Sequence, residues 1–276
     1  MNYRHAYHAG NFADVHKHAV LTLLLAHLRR KDAPFHVLDT HAGIGRYDLD
    51  GAEAGKTGEF AGGIAKLLDG AADHPLLAEY LRLVRAENGA GVLRFYPGSP
   101  LLARGGLREE DRLTLIELHP EDAETVRALF RRDRQVTVRE EDAYRALKAC
   151  LPPRERRGLV LVDPPYEAKD EFQTLTRGLG EALRRWPTGI YALWYPIKSP
   201  AEVARFTGEL VNFGKPCLTC ELMLHEPEDE TRLNGSGLAL INPPWRIDQQ
   251  IEALLPPLHE ALGCRGGTGL RWLARG

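Results

Sequence analysis

The hydrophobic residues near the start of the chain repeat with the period of a helix. From Ala13 to about Arg30, apolar side chains recur three or four residues apart, at Val15, Ala19, Val20, Leu23, Leu24 and Leu28. This spacing predicts an amphipathic helix. A short apolar strand over 35–38 and a glycine-rich turn over 39–45 follow.

Further along the chain, short apolar runs alternate with helical patterns. Strands are predicted at 113–116, 136–138, 158–162, 190–195, 217–223 and 238–241, and helices at 120–131, 143–149 and 170–185. Such alternation predicts the α/β class, with one doubly wound, Rossmann-like and mostly parallel sheet built from residues 1–276. Ligands of such sheets bind at the carboxyl ends of the strands.

The stretch after the first strand departs from this rhythm. Glycines are dense between Gly51 and Gly63, helical patterns cover roughly 61–69 and 75–87, and a strand is predicted at 93–96. We therefore expect a small helical subdomain, about 50–90, inserted into the Rossmann-like domain.

Composition and charge restrict the class of protein. With 276 residues, 43% of them hydrophobic, the chain can bury a large core. The formal net charge of −2 argues against a protein that coats nucleic acid by its overall charge, so any contact with nucleic acid would have to come from local patches. Candidate patches are the basic clusters 29–31, 131–134, 154–157 and 184–185. Each alone is typical of a solvated face.

No apolar run approaches the ~20 residues that span a bilayer, and the first residues lack the apolar core of a signal peptide. We expect a cytoplasmic enzyme with no membrane association and no obligate protein partner.

Cysteine and histidine are too scattered for a metal site. Cys217 and Cys220 have C-x2-C spacing, but Cys150 and Cys264 stand alone and no second pair completes a zinc ribbon. The histidines near the start of the chain, among them His16 and His18, have no second ligand cluster beside them. We therefore expect no metal.

Acidic residues follow successive strands of the predicted sheet. They are Asp39, Glu117, Asp142 and Asp163. Gly43 and Gly45 in the first turn would let a nucleotide-like cofactor approach the backbone, while Asp48 stands where a dinucleotide fingerprint wants a third glycine. Any one acid could be only a helix N-cap. All four together predict a crevice in which Glu117 accepts ribose hydroxyls and Asp142 accepts from a cofactor amine.

The segment Asp163-Pro164-Pro165-Tyr166 follows the apolar strand 158–162. The prolines donate no N–H, so this backbone offers carbonyl oxygens beside the Asp163 carboxylate. Acceptors facing one way suit an NH2 group, and Tyr166 could stack on a flat ring. The motif predicts a catalytic site that binds a planar amine.

A second motif of the same form, Asn242-Pro243-Pro244-Trp245, follows the apolar run 238–241. Strand order favours the first motif, because Asp163 ends the fourth core strand, which lies beside the first strand in this fold, whereas Asn242 ends the last. We expect the second motif to be a loop that borders the site.

These features together resemble a known family. A glycine turn, then an acid, then an aspartate and then D/N-P-P-aromatic after strands one to four is the pattern of S-adenosylmethionine-dependent amino-methyltransferases. The segments 3–11, 38–47 and 96–100, with Ala13-Asp14 and Lys17-His18, are similar to the RlmJ family of 23S ribosomal RNA adenine-N6 methyltransferases. Ile44 departs from the alanine expected there.

The resemblance implies a cofactor, S-adenosyl-L-methionine, and a partner, 23S ribosomal RNA. It places His18, His41, Ser99, Glu117, Asp142, Ala143 and Asp163 at the cofactor. Asp163 and the Pro164 carbonyl would hold the target amine, and Tyr3 would contact the RNA. We expect Lys17 and His18 to close over the cofactor.

Other functions stay open at this point. The acceptor could instead be adenine in DNA or a glutamine amide in a protein, or the chain could be a non-catalytic RNA-binding module. The absence of an evident recognition domain for duplex DNA lowers the DNA alternative.

Overall fold

The structure is a computed structural model that describes residues 5–71, 73–89 and 91–275. Within those ranges the α-helices are α1 (Phe12–Leu28), α2 (Ala52–Thr57), α3 (Ile64–Gly70), α4 (Ala78–Ala86), α5 (Ser99–Gly105), α6 (Pro120–Leu129), α7 (Ala143–Cys150), α8 (Glu171–Arg185), α9 (Pro200–Val211) and α10 (Ile247–Leu262). The strands are β1 (His36–Asp39), β2 (Arg46–Asp48), β3 (Phe95–Pro97), β4 (Arg112–Glu117), β5 (Val136–Glu140), β6 (Gly158–Val162), β7 (Ile190–Ile197), β8 (Cys217–Met223), β9 (Gly235–Ile241) and β10 (Thr268–Ala274).

Eight strands of the described chain form one twisted sheet in the order β10-β8-β9-β7-β6-β1-β4-β5. The five strands from β7 to β5 pair in parallel. β9 is antiparallel to both β7 and β8, and β10 is antiparallel to β8. The predicted α/β class with a Rossmann-like, mostly parallel sheet is confirmed.

The central strand β6 shows why the sheet is covered on both faces. All five of its residues are buried. Leu159 and Leu161 face one hydrophobic core, while Val160 and Val162 face the other. Because side chains alternate across a strand, a run of apolar residues without alternation requires helices on both faces.

Helix α1 is buried nearly all round, so the prediction of an amphipathic helix is wrong. Its polar residues Asp14, His16, Lys17 and His18 are as buried as its leucines. The reason is that α1 packs on β9, α10, α4 and α5, and no face is left to water. Buried polar groups need partners, and those of α1 contribute to the site described below.

The chain between β1 and β4 contains α2, α3, α4 and α5. The predicted strand 93–96 corresponds to β3, which pairs with β2 in a separate antiparallel sheet. That 50–90 is a subdomain in its own right stays a prediction.

Several elements have no counterpart in the sequence analysis: α2, α5, α9, α10, β2 and β10. In α10 the adjacent Pro256 and Pro257 argue against a helix. They are tolerated because this helix buries a full apolar face, which includes Ile251, Leu254 and Leu258. No helix in the described part of the chain is long and apolar enough to cross a membrane.

Gly158 is required for the pairing of β6 with β1. A Cβ at this position would lie 1.8 Å from the carbonyl oxygen of His36. We predict that Gly158→Ala lowers the free energy of unfolding by about 3 kcal/mol, measured by urea denaturation. Gly208→Ala is the matched control, because its exposed helical position is open and should gain roughly 0.5–1 kcal/mol. Equal effects of the two substitutions would contradict this assignment.

Candidate active site

A cavity of about 200 Å³ opens at the carboxyl ends of β1, β4 and β6. Residues that the sequence analysis assigned to a cofactor or to the target amine line it together: Lys17, His18, His41, Gly43, Ser99, Glu117, Asp142, Ala143, Asp163 and Pro164. These residues come from six parts of the chain; the acids and the glycine turn were predicted from strand ends, and the others from the family resemblance or from the first helix.

The glycine turn after β1 forms the floor of this cavity. Gly43 and Gly45 have φ angles of 58° and 79°, which favour glycine. A Cβ on Gly43 would lie 2.3 Å from the hydroxyl of Tyr47. The turn thus brings bare backbone to the cavity, as a cofactor that lies against the main chain requires.

Glu117 is fixed by the backbone on both sides. Its Oε2 accepts from the N–H of Gly43 (2.8 Å) and its Oε1 from that of His119 (2.8 Å). Burial raises the pKa of the carboxyl, although these hydrogen bonds oppose the shift. A carboxylate held in this way keeps further lone pairs for hydroxyl donors.

Asp142 is the N-cap of helix α7, and it also faces the cavity. Its side chain caps α7 by accepting from the N–H of Arg145 (2.9 Å). It also lines the cavity beside Ala143.

Asp39 does not belong to the cavity lining, so the expectation that four acids face one crevice is wrong for this residue. Only 1% of Asp39 is exposed. It lies below the cavity, where it accepts from the N–H of His41 (3.3 Å). Burial raises its pKa to about 6, opposed by its hydrogen bond with Ser99. It supports the turn from underneath.

Lys17 joins helix α1 to the end of β6. Its ammonium donates to Asp14 (2.8 Å) and to Asp163, and only 4% of the lysine is exposed. Burial by itself would lower the pKa of Lys17, but the two carboxylates outweigh it and raise the pKa above its ordinary value. Lys17 is therefore a permanent buried cation.

Asp14 completes this network. Burial would raise its pKa, but His5 (2.9 Å) and Lys17 hold it well below the ordinary value. Its Oδ2 also accepts from the N–H of Gly10 (2.9 Å). The sequence analysis singled out Lys17 but not Asp14, although their i, i+3 spacing on one helix was a usable signal.

His18 lines the cavity from the side of α1. Its Nδ1 lies 2.7 Å from the hydroxyl of Tyr96, which lies 2.8 Å from that of Tyr80. Burial lowers the pKa of His18 well below its ordinary value. The imidazole is thus a neutral, fixed hydrogen-bonding group.

A second cavity, of about 590 Å³, lies on the other side of Asp163. Four residues line both cavities: His5, Lys17, Asp163 and Pro165. Tyr166 and Trp194 form an aromatic wall in the second cavity, and His8, Asn11, Glu59 and Lys198 are polar residues of its lining. Trp194 was missed, because a strand pattern does not tell which cavity a half-buried side chain faces.

Tyr166 has a left-handed backbone, with φ of 51°. Its hydroxyl donates to the carbonyl oxygen of Trp194 (2.7 Å), and its ring packs on Phe172 at 4.8 Å between centroids. These contacts hold the ring at the second cavity.

The motif at 242–245 does not border this site, so that expectation is wrong. β9 is antiparallel to β7, and Ile241 pairs with Tyr191 at the start of β7. Asn242 therefore lies at the opposite edge of the sheet. Its amide donates to the carbonyl oxygens of Pro187 (3.0 Å) and Gly189 (2.8 Å), a structural role.

Two further parts of the sequence analysis concern Tyr3 and the cysteine pair. Tyr3 lies outside the described residues. Cys217 and Cys220 are buried thiols on β8, and burial raises the pKa of Cys217 to about 12.

The sheet and a cavity with a glycine turn and carboxylates at its strand ends define a Rossmann-like methyltransferase. The model of the family described as "Ribosomal RNA large subunit methyltransferase D, RlmJ" matches residues 32–274, and the chain belongs to this family. The family resemblance inferred from the motifs is confirmed.

Relatives match over nearly the whole chain. Ribosomal RNA large subunit methyltransferase J of Escherichia coli K12 is 45% identical, over 98% of this chain and 96% of that protein. Its namesake in Haemophilus influenzae is 42% identical over the same shares. The crystal structure of protein LPL1258 from Legionella pneumophila is similar, with a TM-score of 0.88 and 36% identity over 96% of this chain and 97% of that one.

The Lys17 network predicts a large and local effect on stability. Lys17→Met removes the cation from two carboxylates, one of them buried, and should lower the free energy of unfolding by about 3–5 kcal/mol. Arg82→Met breaks the exposed pair with Glu79 (2.8 Å) and should cost less than about 1 kcal/mol. Urea denaturation measures both, and similar small losses would contradict the buried network.

The buried neutral histidines predict loss of stability in acid. Burial lowers the pKa of His16 to about 3 and that of His41 to about 4. The unfolded chain binds these protons below about pH 6.5 while the folded chain does not, so the free energy of unfolding falls as pH decreases through this window.

His16→Asn isolates one contribution. Between pH 7 and pH 5 it should reduce the fall in the free energy of unfolding by up to about 2 kcal/mol. Urea denaturation at both pH values measures this difference. An unchanged pH dependence would show that His16 is not held neutral.

Proposed function

We propose that the protein transfers a methyl group from S-adenosyl-L-methionine to the N6 amine of an adenine in 23S ribosomal RNA. The observation that carries the proposal is the meeting of two cavities at Asp163. We assign the first cavity to the cofactor and the second to the acceptor. Membership of the RlmJ family supports ribosomal RNA as the substrate.

The first cavity fits the cofactor by its chemistry. Glu117 would accept the ribose hydroxyls, Asp142 would accept from an amine, and the half-exposed Leu118 would cover an apolar ring face. Gly43 would offer backbone alone to the ligand, and Tyr47 fills the space that a Cβ on Gly43 would occupy. Lys17, His18, His41, Ser99 and Ala143 would complete the binding surface.

The second cavity fits a base turned out of its RNA. Its aromatic wall of Tyr166 and Trp194 offers stacking surfaces. Trp194 is fixed by its Nε1, which donates to Ser236 (3.0 Å), and Tyr166 meets it edge-on at 5.6 Å between centroids. Such fixed rings would orient a planar acceptor at low entropic cost.

At the shared wall, Asp163 and the carbonyl of Pro164 would accept the two hydrogens of the adenine amine. Lys17 bonds Oδ2 of Asp163, which leaves Oδ1 for the amine. Binding both hydrogens favours a pyramidal nitrogen whose lone pair is free of the ring. When bound, the cofactor supplies a methyl group on a positively charged sulfur.

The proposed reaction depends on how the amine is positioned against the methyl donor. The amine nitrogen would take the methyl group while the sulfur kept the electron pair of the broken bond, and Asp163 would pass one N6 proton to water. Because a sulfonium methyl is already activated, the chain needs to supply only alignment and electrostatics. The proposal involves no metal and no protein partner, and contact of Tyr3 with RNA stays a prediction.

The two look-alike motifs provide a matched test of the catalytic assignment. Asp163→Ala should reduce methyl transfer to 23S ribosomal RNA at least about 100-fold, measured with radiolabelled cofactor. Calorimetry should still detect cofactor binding, since the other lining residues remain. Asn242→Ala should retain activity at saturating RNA, because Asn242 lies at the opposite edge of the sheet. Full activity of Asp163→Ala with loss in Asn242→Ala would overturn the assignment.

The acceptor class is tested with the same labelled cofactor and separate pools of ribosomal RNA, DNA and protein. Label should enter RNA alone and appear as N6-methyladenine after nuclease digestion. Label in DNA or protein would replace the acceptor but keep the methyltransferase, and no binding of cofactor would favour a non-catalytic RNA-binding module.

A further inference from the structure

The basic clusters of the sequence meet at one edge of the sheet. The clusters 29–31, 131–134, 154–157 and 184–185 precede β1, β5, β6 and β7 in turn. Because these strands are parallel, their starting ends lie at the same edge. We call this surface, formed by these clusters, the basic edge. Basic clusters that are far apart in the sequence thus lie along the same edge of the sheet.

Direct contacts tie the central clusters together. The carbonyl of Arg157 accepts from the N–H of His36 (2.9 Å), and the Arg157 guanidinium donates to the carbonyl oxygens of Leu28 and Ala33. Arg108 donates to the carbonyl of Lys31 (2.8 Å). Arg157 thus holds the end of α1, and both arginines hold the loop that follows it, while the exposed cations around them make no such contact.

The acids near this edge neutralise little of that charge. Glu155 pairs with His36 (3.3 Å), Asp133 with Arg104, and Glu181 with Arg184. Arg30, Lys31, Arg154 and Arg156 are exposed and have no ion-pair partner within the described ranges. The exposed acids Asp32, Glu109 and Glu110 also lie at this edge, but they are fewer than its cations. Burial is the main cause that lowers the pKa of His27, and the charges of Arg30, Arg157 and Lys31 lower it further. The edge therefore carries a net positive field.

An aromatic side chain extends the same edge. Since β9 runs antiparallel to β7, its end lies where β7 begins, and the amide of Asn242 ties the following loop to the turn after cluster 184–185. Trp245 in this loop is 75% exposed, and the guanidinium of Arg246 lies 5.3 Å from its ring centroid. Exposed cations together with an exposed indole suit phosphates and an unstacked base.

We propose that the basic edge is a second RNA-binding surface, which holds the phosphate backbone of the substrate at a site remote from the reacting adenine. From β5 to β9 it spans about 24 Å, five strand spacings, enough for several phosphates. It lies about 16 Å from Asp163, the length of β6. A single flipped base cannot contact both, so the substrate RNA must extend beyond the reacting nucleotide to reach both edges. RNA as the partner rests on the proposed function.

The test compares two triple variants with equal loss of charge. Arg30→Gln/Arg154→Gln/Arg156→Gln removes exposed cations of the basic edge. Arg177→Gln/Arg205→Gln/Arg271→Gln removes exposed cations from α8, α9 and β10. Binding of a 23S ribosomal RNA transcript is measured by filter retention over a range of salt concentrations, with thermal unfolding as the check on folding.

The basic-edge variant should bind at least about tenfold more weakly at 0.15 M salt, and its slope of log K against log salt should fall by about 2 to 3. The control variant should bind like the unmodified protein. Trp245→Ala should weaken binding roughly fivefold or more with an unchanged slope, because stacking releases no counterions.

Unchanged affinity and slope in the basic-edge variant, or equal losses in both triple variants, would overturn the proposal. Loss of binding to vesicles of anionic phospholipid with unchanged RNA binding would overturn it in favour of a membrane surface. Methyl transfer to the same transcript is measured in parallel. If the unmodified protein failed to methylate RNA yet bound it through the basic edge, the proposed function would fail while this surface stood.

Discussion

The buried ion network of Asp14, Lys17 and Asp163 determines the form of the site. Removing charges from water costs several kcal/mol per ion, and only close pairing offsets this cost. Lys17 therefore fixes α1 against the end of β6, two segments that are 146 residues apart in the sequence. That contact forms the wall between the two cavities. It also orients the Asp163 carboxylate, which in our proposal holds the amine that accepts the methyl group.

The sheet then separates two kinds of chemistry. Parallel strands place all their carboxyl ends at one edge, where Glu117, Asp142 and Asp163 gather around the glycine turn. The same parallel order places their starting ends at the other edge, where the basic clusters gather. One topological feature thus accounts for an acidic cavity, which we propose binds the cofactor, and for a remote cationic surface, which we propose binds the RNA.

Local patterns predicted most strands of the sheet and most of the longer helices, and they brought Glu117, Asp142 and Asp163 to one cavity, because acids after buried strands of a parallel sheet converge. Other lining residues, such as His41, Ser99 and Ala143, were implied only by the family resemblance, and half of the lining was not assigned to the cavity at all. Local patterns did not predict features that depend on contacts between distant parts of the chain. Nothing in the sequence around Asn242 shows that β9 is antiparallel, which moves that motif to the far edge. The periodicity of α1 did not reveal that its polar residues are buried, since that depends on the helices packed over it. Asp39 satisfied the strand-end rule but lies below the cavity, because the turn after β1 uses it for support.

The central claim is that Asp163 presents an adenine amine of 23S ribosomal RNA to the methyl donor. Its most direct test is mass spectrometry of 23S ribosomal RNA from cells that lack this gene and carry either the unmodified protein or Asp163→Ala. The account predicts one N6-methyladenine that is absent without the gene, restored by the unmodified protein and not restored by the variant. Restoration by Asp163→Ala, or an unchanged set of modified adenines without the gene, would contradict it.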